Sequence, residues 1–348
     1  MRVALDAQLA IGTATGIGEY VRGLSGALRE EGVDVVELSA PRLDPWRFDR
    51  RVMWDQVLLP RLARSSGAQL LHCASGTVPW RSPLPVVATV HDVAWLRVQS
   101  HARPYARYYF GRFALARYRR AAQIVVDSEF SRGELLAVLP EYDPARVRVA
   151  HPGVSEDFGR VRRGTGDRRT ILAVGTVERR KNLELLIRAL PRLDGARLVA
   201  AGPSTPYRDE CVALAARLRV SDRVEFCGYV DRAQLLALYA DCAVVAVPSR
   251  YEGFGYAAAQ ALCAAAPCIV ADRGALPEVA GGDAPVVALE DESAWTQALA
   301  NALNGGGDAR AAAARERSIA RFAWPAAARA TIAAYAAALG RPISERRV

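Results

Sequence analysis

The chain has 348 residues, a length more typical of two domains than of one and sufficient to bury substantial cores. Hydrophobic residues make up 51% and charged residues 24%, which excludes a disordered, collagen-like or disulfide-scaffold protein. The formal net charge of +9 suits nucleic acid, an anionic membrane surface or a negatively charged small substrate.

The first residues and the cysteines favour a cytoplasmic protein. Residues 1–6 place an acid after a short apolar run and lack a hydrophobic signal region. The longest apolar runs, such as 242–248, are strand-sized and well short of the ~20 residues that a membrane span needs. The six cysteines form no Cys-x-x-Cys pair, so we expect neither disulfides nor zinc.

Short apolar strands alternate with helical stretches along the whole chain, a pattern typical of parallel sheets built from βαβ units. It predicts strands near 2–6, 34–38, 69–72, 86–90, 123–126, 147–150, 170–174, 197–201, 223–227, 243–247, 267–271 and 285–288. The predicted helices are 17–31, 102–121, 129–139, 181–190, 208–218, 231–240, 256–265, 291–303, 308–321 and 323–339. The fold class is therefore α/β, with two doubly wound, Rossmann-like domains.

Residues 151–154, followed by the Gly- and Arg-rich residues 159–167 with little apolar periodicity, separate the two sets of strands and are interpreted as a linker. The first domain is accordingly predicted at 1–155 and the second at 156–322, followed by a terminal helix at 323–340. Doubly wound domains bind ligands at the carboxyl ends of their strands, and a cleft between two such domains would let each supply half a site.

A glycine-rich turn follows the first strand. Gly12, Gly16 and Gly18 precede the helical pattern and would let backbone N–H groups approach an anion at the helix N-terminus. The spacing differs from the dinucleotide signature G-x-G-x-x-G, because Val21 occupies the third position. A tight turn without a ligand is an equal alternative on this pattern alone.

The second domain begins with a buried strand that ends at Gly175 and is followed by Arg179, Arg180 and Lys181 at the start of a helix. Three consecutive cations at this place could hold a pyrophosphate. The alternative is a solvated basic turn. Lys181 argues against that alternative, because it is the single lysine in a chain that uses arginine at every other cationic position.

A third motif combines an apolar strand, a Gly-x-Gly turn and an alanine-rich helix. The N–H groups of Phe254, Gly255 and Tyr256 would point at a ligand near the helix N-terminus, with Glu252 at the edge of the turn. Gln260 lies one helical turn beyond Tyr256 on the same face. The alternative role for Glu252 is to stabilise the helix N-terminus.

These three motifs, in this order, resemble the family 4 glycosyltransferases of the GT-B fold. Residues 16–20 resemble their N-terminal glycine loop, residues 175–182 their Arg-Lys phosphate clamp, and residues 252–255 the start of their Glu-x7-Glu element. Further matches lie at residues 90–92, which resemble the histidine-bearing loop of the acceptor domain, and at 127–132, 276–279 and 322–324. The last of these resembles the start of a terminal helix that crosses back to the first domain.

The resemblance implies a retaining, metal-independent hexosyltransferase in which the donor's diphosphate leaves and the acceptor hydroxyl attacks from the same face. Arg180 and Lys181 would neutralise the diphosphate, with help from backbone N–H groups at residues 16–18, 175 and 254–256. Glu252 would bind donor-sugar hydroxyls. His91 would contact the transferring sugar or position the acceptor, without an assigned general-base role.

One position departs from the family pattern. The second glutamate of Glu-x7-Glu, which holds the nucleotide ribose, is replaced by Gln260, so the charge-assisted hydrogen bond is lost. This substitution motivates a rival reading in which the chain binds a sugar nucleotide, or regulates through it, with little turnover. An NAD-dependent oxidoreductase is disfavoured by the glycine spacing, and a nucleic-acid partner by the lack of a recognised module.

The substrates follow from the resemblance only in outline. Residues 175–182 look most like mannosyltransferase members, so GDP-mannose is the first expected donor and a UDP-sugar the second. The acceptor is expected to be a glycan under polysaccharide assembly, including a lipid-linked one. Residues 102–120 mix arginine with tyrosine and phenylalanine, as peripheral membrane contact would require. Their arginines spread around the helix, however, which favours an ordinary, partly buried helix.

Overall fold

The computed structural model describes residues 1–11, 16–44, 46–97, 104–164 and 168–341. They form two compact units. Unit 1 comprises Met1–Gly153 and the chain from Ala323 onward, and unit 2 is Val154–Phe322.

Each unit contains a six-stranded parallel sheet, which confirms the predicted Rossmann-like organisation. In unit 1 the strand order is β2-β1-β3-β4-β5-β6, with β1 Arg2–Asp6, β2 Asp34–Leu38, β3 Leu70–Cys73, β4 Val86–Val90, β5 Gln123–Val126 and β6 Val147–Val149. In unit 2 it is β12-β11-β10-β7-β8-β9, with β7 Thr170–Val174, β8 Arg197–Ala201, β9 Val224–Gly228, β10 Val244–Val247, β11 Cys268–Ala271 and β12 Val286–Val287.

The central strands read as unbroken apolar runs because helices cover both faces of a parallel sheet. Every residue of β4, β5, β10 and β11 is buried. Each of the twelve predicted strands is present within one residue of its predicted ends. The direction of winding reverses between β1 and β3 in unit 1 and between β7 and β10 in unit 2. Ligands of doubly wound sheets bind at the carboxyl ends of strands at such switch points.

The helices of unit 1 flank its sheet. They are α1 Gly16–Glu30, α2 Phe48–Met53, α3 Leu59–Ser65, α4 Ala94–Arg97, α5 Pro104–Phe110, α6 Arg112–Tyr118 and α7 Glu129–Val138. A π-helical turn, Trp54–Leu58, joins α2 to α3. The helical region 48–65 was not predicted from the sequence. The helix predicted at 102–121 is instead two helices, because the backbone leaves helical geometry at Gly111 (φ −98°, ψ −102°). Residues 102 and 103 lie outside the described residues.

Unit 2 contains α8 Glu156–Gly159, α9 Leu183–Ala189, α10 Tyr207–Arg217, α11 Arg232–Asp241, α12 Tyr256–Cys263, α13 Leu276–Ala280, α14 Glu292–Leu303 and α15 Asp308–Arg321. A short 3₁₀ turn, Arg179–Lys181, precedes α9.

The last helix, α16 Trp324–Ala338, belongs to unit 1. Its Trp324 indole packs directly on the backbone at Gly23 and Gly153, where an added Cβ would lie within about 2.2 Å of the ring. Ala328, Ala334 and Tyr335 complete the apolar core beside α1. The resemblance predicted a terminal helix that returns to the first domain, and α16 is such a helix.

Candidate functional site

The site in unit 2 lies at the switch point, where the chain leaves β7 and β10. A small pocket there is lined by Gly175, Thr176, Lys181 and Ser249. Gly175 has a φ of +126°, and the Lys181 side chain folds over it, so that a Cβ at this position would lie 3.2 Å from the ammonium nitrogen. The glycine that ends β7 therefore makes room for the lysine side chain.

Lys181, which lines this pocket, and Arg180 together hold one carboxylate. The Lys181 Nζ donates to Glu252 Oε1 at 2.6 Å, and the Arg180 Nη1 donates to Glu252 Oε2 at 2.9 Å. Only 8% of the Glu252 side chain is exposed, against 19% for Lys181 and 22% for Arg180. The carboxylate is thus more deeply buried than the two cations that hold it.

The electrostatics keep Glu252 ionised. Burial alone would raise its pKa, but the charges of Lys181 and Arg180 outweigh burial and lower the pKa to about 2. Arg180 also donates from Nη2 to Glu178 Oε1 at 2.7 Å. The four side chains together carry two positive and two negative charges, so the cluster is neutral as it stands.

Arg179 corrects the prediction of three cations on one ligand. Its guanidinium donates to the Glu210 carboxylate at 2.6 Å and lies 5.4 Å over the Tyr207 ring, on the outer side of unit 2. More than half of its side chain is exposed. The structure therefore gathers Arg180 and Lys181 on Glu252 and turns Arg179 elsewhere.

The turn that carries these cations is tied to the loop that carries Glu252. The Arg250 amide donates to the Arg180 carbonyl at 2.8 Å, and the Arg250 side chain donates to Asn182 Oδ1 at 3.0 Å. Gly274 packs against the Glu252 backbone, where a Cβ would lie 2.5 Å from the Glu252 carbonyl oxygen. The backbone of both loops is thereby held in register before any ligand binds.

The Gly-x-Gly turn caps α12 as its sequence suggested. Gly255 is the N-cap residue and has a φ of +103°, a conformation that favours glycine. The Phe254 side chain is buried and packs on Tyr256 and Phe322. Contacts from the N–H groups of residues 254–256 to a diphosphate remain a prediction.

Gln260 lies on the inner face of α12. It is buried, and its Oε1 accepts a hydrogen bond from the Tyr239 hydroxyl at 3.0 Å. This contact comes from α11 and could not be inferred from helical spacing. A glutamine can accept from Tyr239 through its oxygen and still donate through its amide nitrogen, so a ribose contact remains a prediction for that nitrogen.

His91 and Asp127 meet at the carboxyl edge of the unit 1 sheet. They follow the adjacent strands β4 and β5, and His91 Nδ1 lies 2.8 Å from Asp127 Oδ2. His91 Nε2 lies 3.1 Å from the Ala74 carbonyl oxygen. With Asp127 ionised, both ring nitrogens of His91 face acceptors, an arrangement that favours the imidazolium form, whereas burial raises the pKa of Asp127. Burial alone would lower the His91 pKa, but the Asp127 charge and hydrogen bond outweigh it and raise the pKa.

His72 is a structural residue. It is fully buried, with Nδ1 2.6 Å from the Tyr335 hydroxyl and Nε2 2.8 Å from Thr89 Oγ1. Burial lowers its pKa to about 3, so the ring is neutral. Thr89 in turn bonds the hydroxyl of Tyr20, whose ring packs edge-on against His91 with centroids 4.7 Å apart. His91 is therefore held from its sides as well as through its nitrogens.

A buried polar cluster near the unit 1 switch point was missed at the sequence level. Asp6 at the end of β1 accepts from the Trp54 indole at 3.0 Å, and Ser75 also donates to it. Arg51 donates to Asp55 at 3.2 Å. The signal was weak because arginine is so common in this chain. The cluster fixes the loop after β3, which also carries the Ala74 carbonyl that binds His91.

Gly16 and Gly18 start α1 in unit 1, whereas residues 12–15 lie outside the described residues. Gly18 has a packing role, because a Cβ there would lie 2.5 Å from the Leu9 carbonyl oxygen. The predicted contact of Gly16 and Gly18 with a diphosphate remains a prediction.

The described residues hold no group of three or more His, Cys, Asp or Glu side chains arranged to bind a metal ion. Within the same residues, no helix combines the length and apolar character needed to cross a bilayer.

Comparisons with known proteins show which families the two units resemble. Residues 14–158 match the family profile described as Glycosyltransferase Family 4, and residues 168–305 match that described as Glycosyl transferases group 1. A curated relative, the D-inositol 3-phosphate glycosyltransferase of Mycobacterium avium, is 33% identical over 248 residues, which is 65% of this chain and 57% of the relative. The chain thus spans little more than half the length of that relative.

Solved structures share the fold over nearly their whole length. Sucrose-phosphate synthase from Thermosynechococcus elongatus superposes with a TM-score of 0.73 at 22% identity, covering 96% of this chain and 98% of that one. HepE from Anabaena, in complex with UDP-glucose, gives a TM-score of 0.74 at 15% identity, covering 97% and 99%.

Proposed function

Because this chain belongs to the family 4 glycosyltransferases of the GT-B fold, we propose that it is a retaining glycosyltransferase. It would transfer a sugar from a nucleotide-diphosphate sugar to a glycan or lipid-linked acceptor. The observation that carries the proposal is the ionised Glu252 held by Lys181 and Arg180 at the switch point of unit 2.

The cations would serve the leaving group. Charge grows on the diphosphate as the glycosidic bond breaks, and fixed cations stabilise it without reorganising. Lys181 and Arg180 are already ordered by Glu252, so little side-chain entropy remains to be lost when a diphosphate binds.

Glu252 would orient the sugar. Each carboxylate oxygen accepts one hydrogen bond from a cation and has a further lone pair for a sugar hydroxyl. With a pKa of about 2, Glu252 is too weak a base to deprotonate the acceptor. Both ring nitrogens of His91 are occupied, by Asp127 and by the Ala74 carbonyl, which argues against a base role for His91. The departing diphosphate is then the base that remains to take the acceptor's proton.

Two donors are proposed for testing. GDP-mannose follows from the mannosyltransferase-like residues 175–182. A UDP-sugar is supported by the name of the HepE complex, which contains UDP-glucose. For the acceptor, the names of the relatives suggest that a phosphorylated polyol such as inositol 3-phosphate be tested beside glycans and lipid-linked sugars.

The experiment measures nucleoside diphosphate release from UDP-glucose, UDP-N-acetylglucosamine and GDP-mannose, with and without the acceptor panel. Acceptor-stimulated release that Lys181→Ala abolishes and Arg179→Gln retains supports the proposal. Tight donor binding without turnover on any acceptor would instead favour a sugar-nucleotide-binding or regulatory protein, the alternative that Gln260 motivates.

A further inference from the structure

Eight aromatic rings of unit 1 form one continuous cluster, which we call the aromatic surface. Each ring lies within 6.3 Å of another, measured between centroids. The members come from α2, α4, α5, α6 and the loop after β3; they are Phe48, Trp80, Trp95, Tyr105, Tyr108, Tyr109, Phe110 and Phe113. The split of the predicted helix at Gly111 brings the rings of α5 onto those of α6.

Half of these rings face outward. Tyr108 is 60% exposed, Tyr105 46%, Trp95 39% and Trp80 37%. The inner rings rest on the buried Arg117, whose guanidinium lies 4.3 Å from the Tyr109 centroid and 4.8 Å from that of Phe113. The four exposed rings are joined to one another through the inner rings Phe48, Tyr109, Phe110 and Phe113. Exposed apolar rings on a buried support mark an interaction surface.

The surrounding chain is strongly basic. Residues 46–64 and 104–120 together contain ten arginines and two aspartates, which is nearly the whole net charge of the protein. Of these residues, Arg51, Arg117 and Asp55 are buried. Arg47 pairs with Asp49, and Arg119 pairs with Glu141. Arg120 lies 4.3 Å over the exposed Trp80 ring, and Arg112 is exposed on α6. The outward charge beside the rings is therefore positive.

The aromatic surface adjoins the carboxyl edge of the unit 1 sheet. Trp80 lies on the chain that follows β3, and Trp95 lies on α4, four residues after His91 at the end of β4. The edge that carries His91 is the one at which a doubly wound sheet binds its ligand.

We propose that the aromatic surface docks unit 1 on an anionic lipid bilayer. Tryptophan and tyrosine prefer the interface between headgroups and acyl chains, because their rings are apolar and their N–H and O–H groups stay hydrated. Arginine adds attraction to anionic headgroups of about 1 kcal/mol, or about fivefold in binding, for each residue near the surface. Neither a neutral bilayer nor an uncharged protein partner would use this charge.

The biological role of this docking rests on the proposed function, because docking would bring a lipid-linked acceptor to the sheet edge that carries His91. The docking itself is tested without donor or acceptor, so its failure is distinguishable from failure of the proposed glycosyl transfer. The orientation of the arginines around one ideal helix had favoured an ordinary buried helix. The structure changes the premise of that argument, because residues 104–118 form two helices, of which α6 is partly buried.

The test is flotation of the full chain with vesicles of phosphatidylcholine alone or with 30% phosphatidylglycerol. We expect binding to the anionic vesicles that weakens with salt. Trp95→Ser with Tyr108→Ser should weaken it at least tenfold, and Arg112→Gln or Arg120→Gln about fivefold each. Matched controls in unit 2 are Tyr229→Ser, at a position 52% exposed, and Arg217→Gln, which should leave binding unchanged.

Thermal melts establish that each variant is folded. Equal binding to neutral and anionic vesicles, binding that the double variant retains, or no binding by the wild-type chain would each overturn the proposal. A further contradicting result would be a wild-type chain that binds no vesicles but forms a dimer in solution, if the double variant is a monomer. The aromatic surface would then bind a second copy of this chain.

Discussion

Lys181 donates from its ammonium to Glu252 over 2.6 Å, although the two residues are 71 positions apart in the chain. The contact joins the loop after β7 to the loop after β10, the two strands between which the winding of unit 2 reverses. Arg180 completes the arrangement on the other carboxylate oxygen at 2.9 Å. A diphosphate that arrives here finds cations that are already aligned, and Glu252 remains as their counter-ion.

Arg179 and Arg180 provide a matched pair for testing the clamp. Replacing Arg180 by Gln should lower kcat about 100-fold, because the leaving diphosphate loses one of the fixed cations that stabilise its charge. Arg179→Gln should stay within about twofold of the wild type, since Arg179 contacts Glu210 and Tyr207 instead. Steady-state kinetics of both variants checks this, and equal losses would contradict the assignment.

Glu252 makes the stability of unit 2 depend on acid. Its pKa is lowered from 4.5 to about 2, so its contribution is present above the ordinary value and is lost as pH falls through about 2. The shift corresponds to about 3 kcal/mol. Glu252→Gln should therefore lower the melting temperature at pH 7, and its difference from the wild type should shrink between pH 4.5 and 2. A pH-independent difference would argue against the ion pairs.

Gln260→Glu tests the departure from the family pattern. A carboxylate at 260 would still accept from the Tyr239 hydroxyl and would offer the ribose a charge-assisted acceptor. We expect the donor KM to fall about tenfold with little change in kcat. The conservative control is Tyr239→Phe, which removes the internal hydrogen bond without adding charge. An unchanged KM in Gln260→Glu would show that residue 260 does not reach the ribose.

Asp127→Asn tests the imidazolium at His91. The groups that face His91 are the carboxylates of Asp127 and Asp92, the Ala74 carbonyl, the Tyr20 ring and the neutral His72. Because the folded pKa of His91 is raised, its contribution to stability is present below 6.5 and is lost as pH rises through the raised value.

The substitution should move the His91 titration, followed by NMR of labelled histidine, to lower pH. The stability difference between Asp127→Asn and the wild type should narrow as pH rises through the raised pKa of His91, and also in acid, where Asp127 is protonated. Asp92→Asn is the control and should move the titration less, because Asp92 acts on His91 only through distance-dependent charge. If the pKa of His91 is the same in Asp127→Asn as in the wild type, Asp127 does not raise the pKa of His91.

The sheets were predictable because their strands are buried on both faces and therefore stand out as apolar runs. Residues 48–65 were missed because dense arginine and Pro60 obscure the helical period, and because Arg51 is buried against Asp55 rather than exposed. The break at Gly111 was equally invisible, since glycine is tolerated within helices and only the packing of α5 on α6 shows where the backbone turns.

The sequence predicts which residues form the candidate site, but not which of their side chains contact each other. Sequence spacing and the family resemblance assign Arg180, Lys181 and Glu252 to one donor-binding site. Which cation faces the carboxylate depends on the 3₁₀ turn at Arg179–Lys181, which directs Arg179 to Glu210. The Tyr239 bond to Gln260 and the two acceptors of His91 likewise come from segments distant in the chain.

The most direct measurement is isothermal titration of UDP, GDP and their sugar conjugates into the wild-type chain, Lys181→Met and Arg179→Gln. The account predicts that one nucleotide series binds the wild type and Arg179→Gln alike and binds Lys181→Met at least tenfold more weakly. Absence of binding by every nucleotide, or equal binding by all three proteins, would contradict the assignment of the Lys181–Glu252 site to a nucleotide-diphosphate sugar.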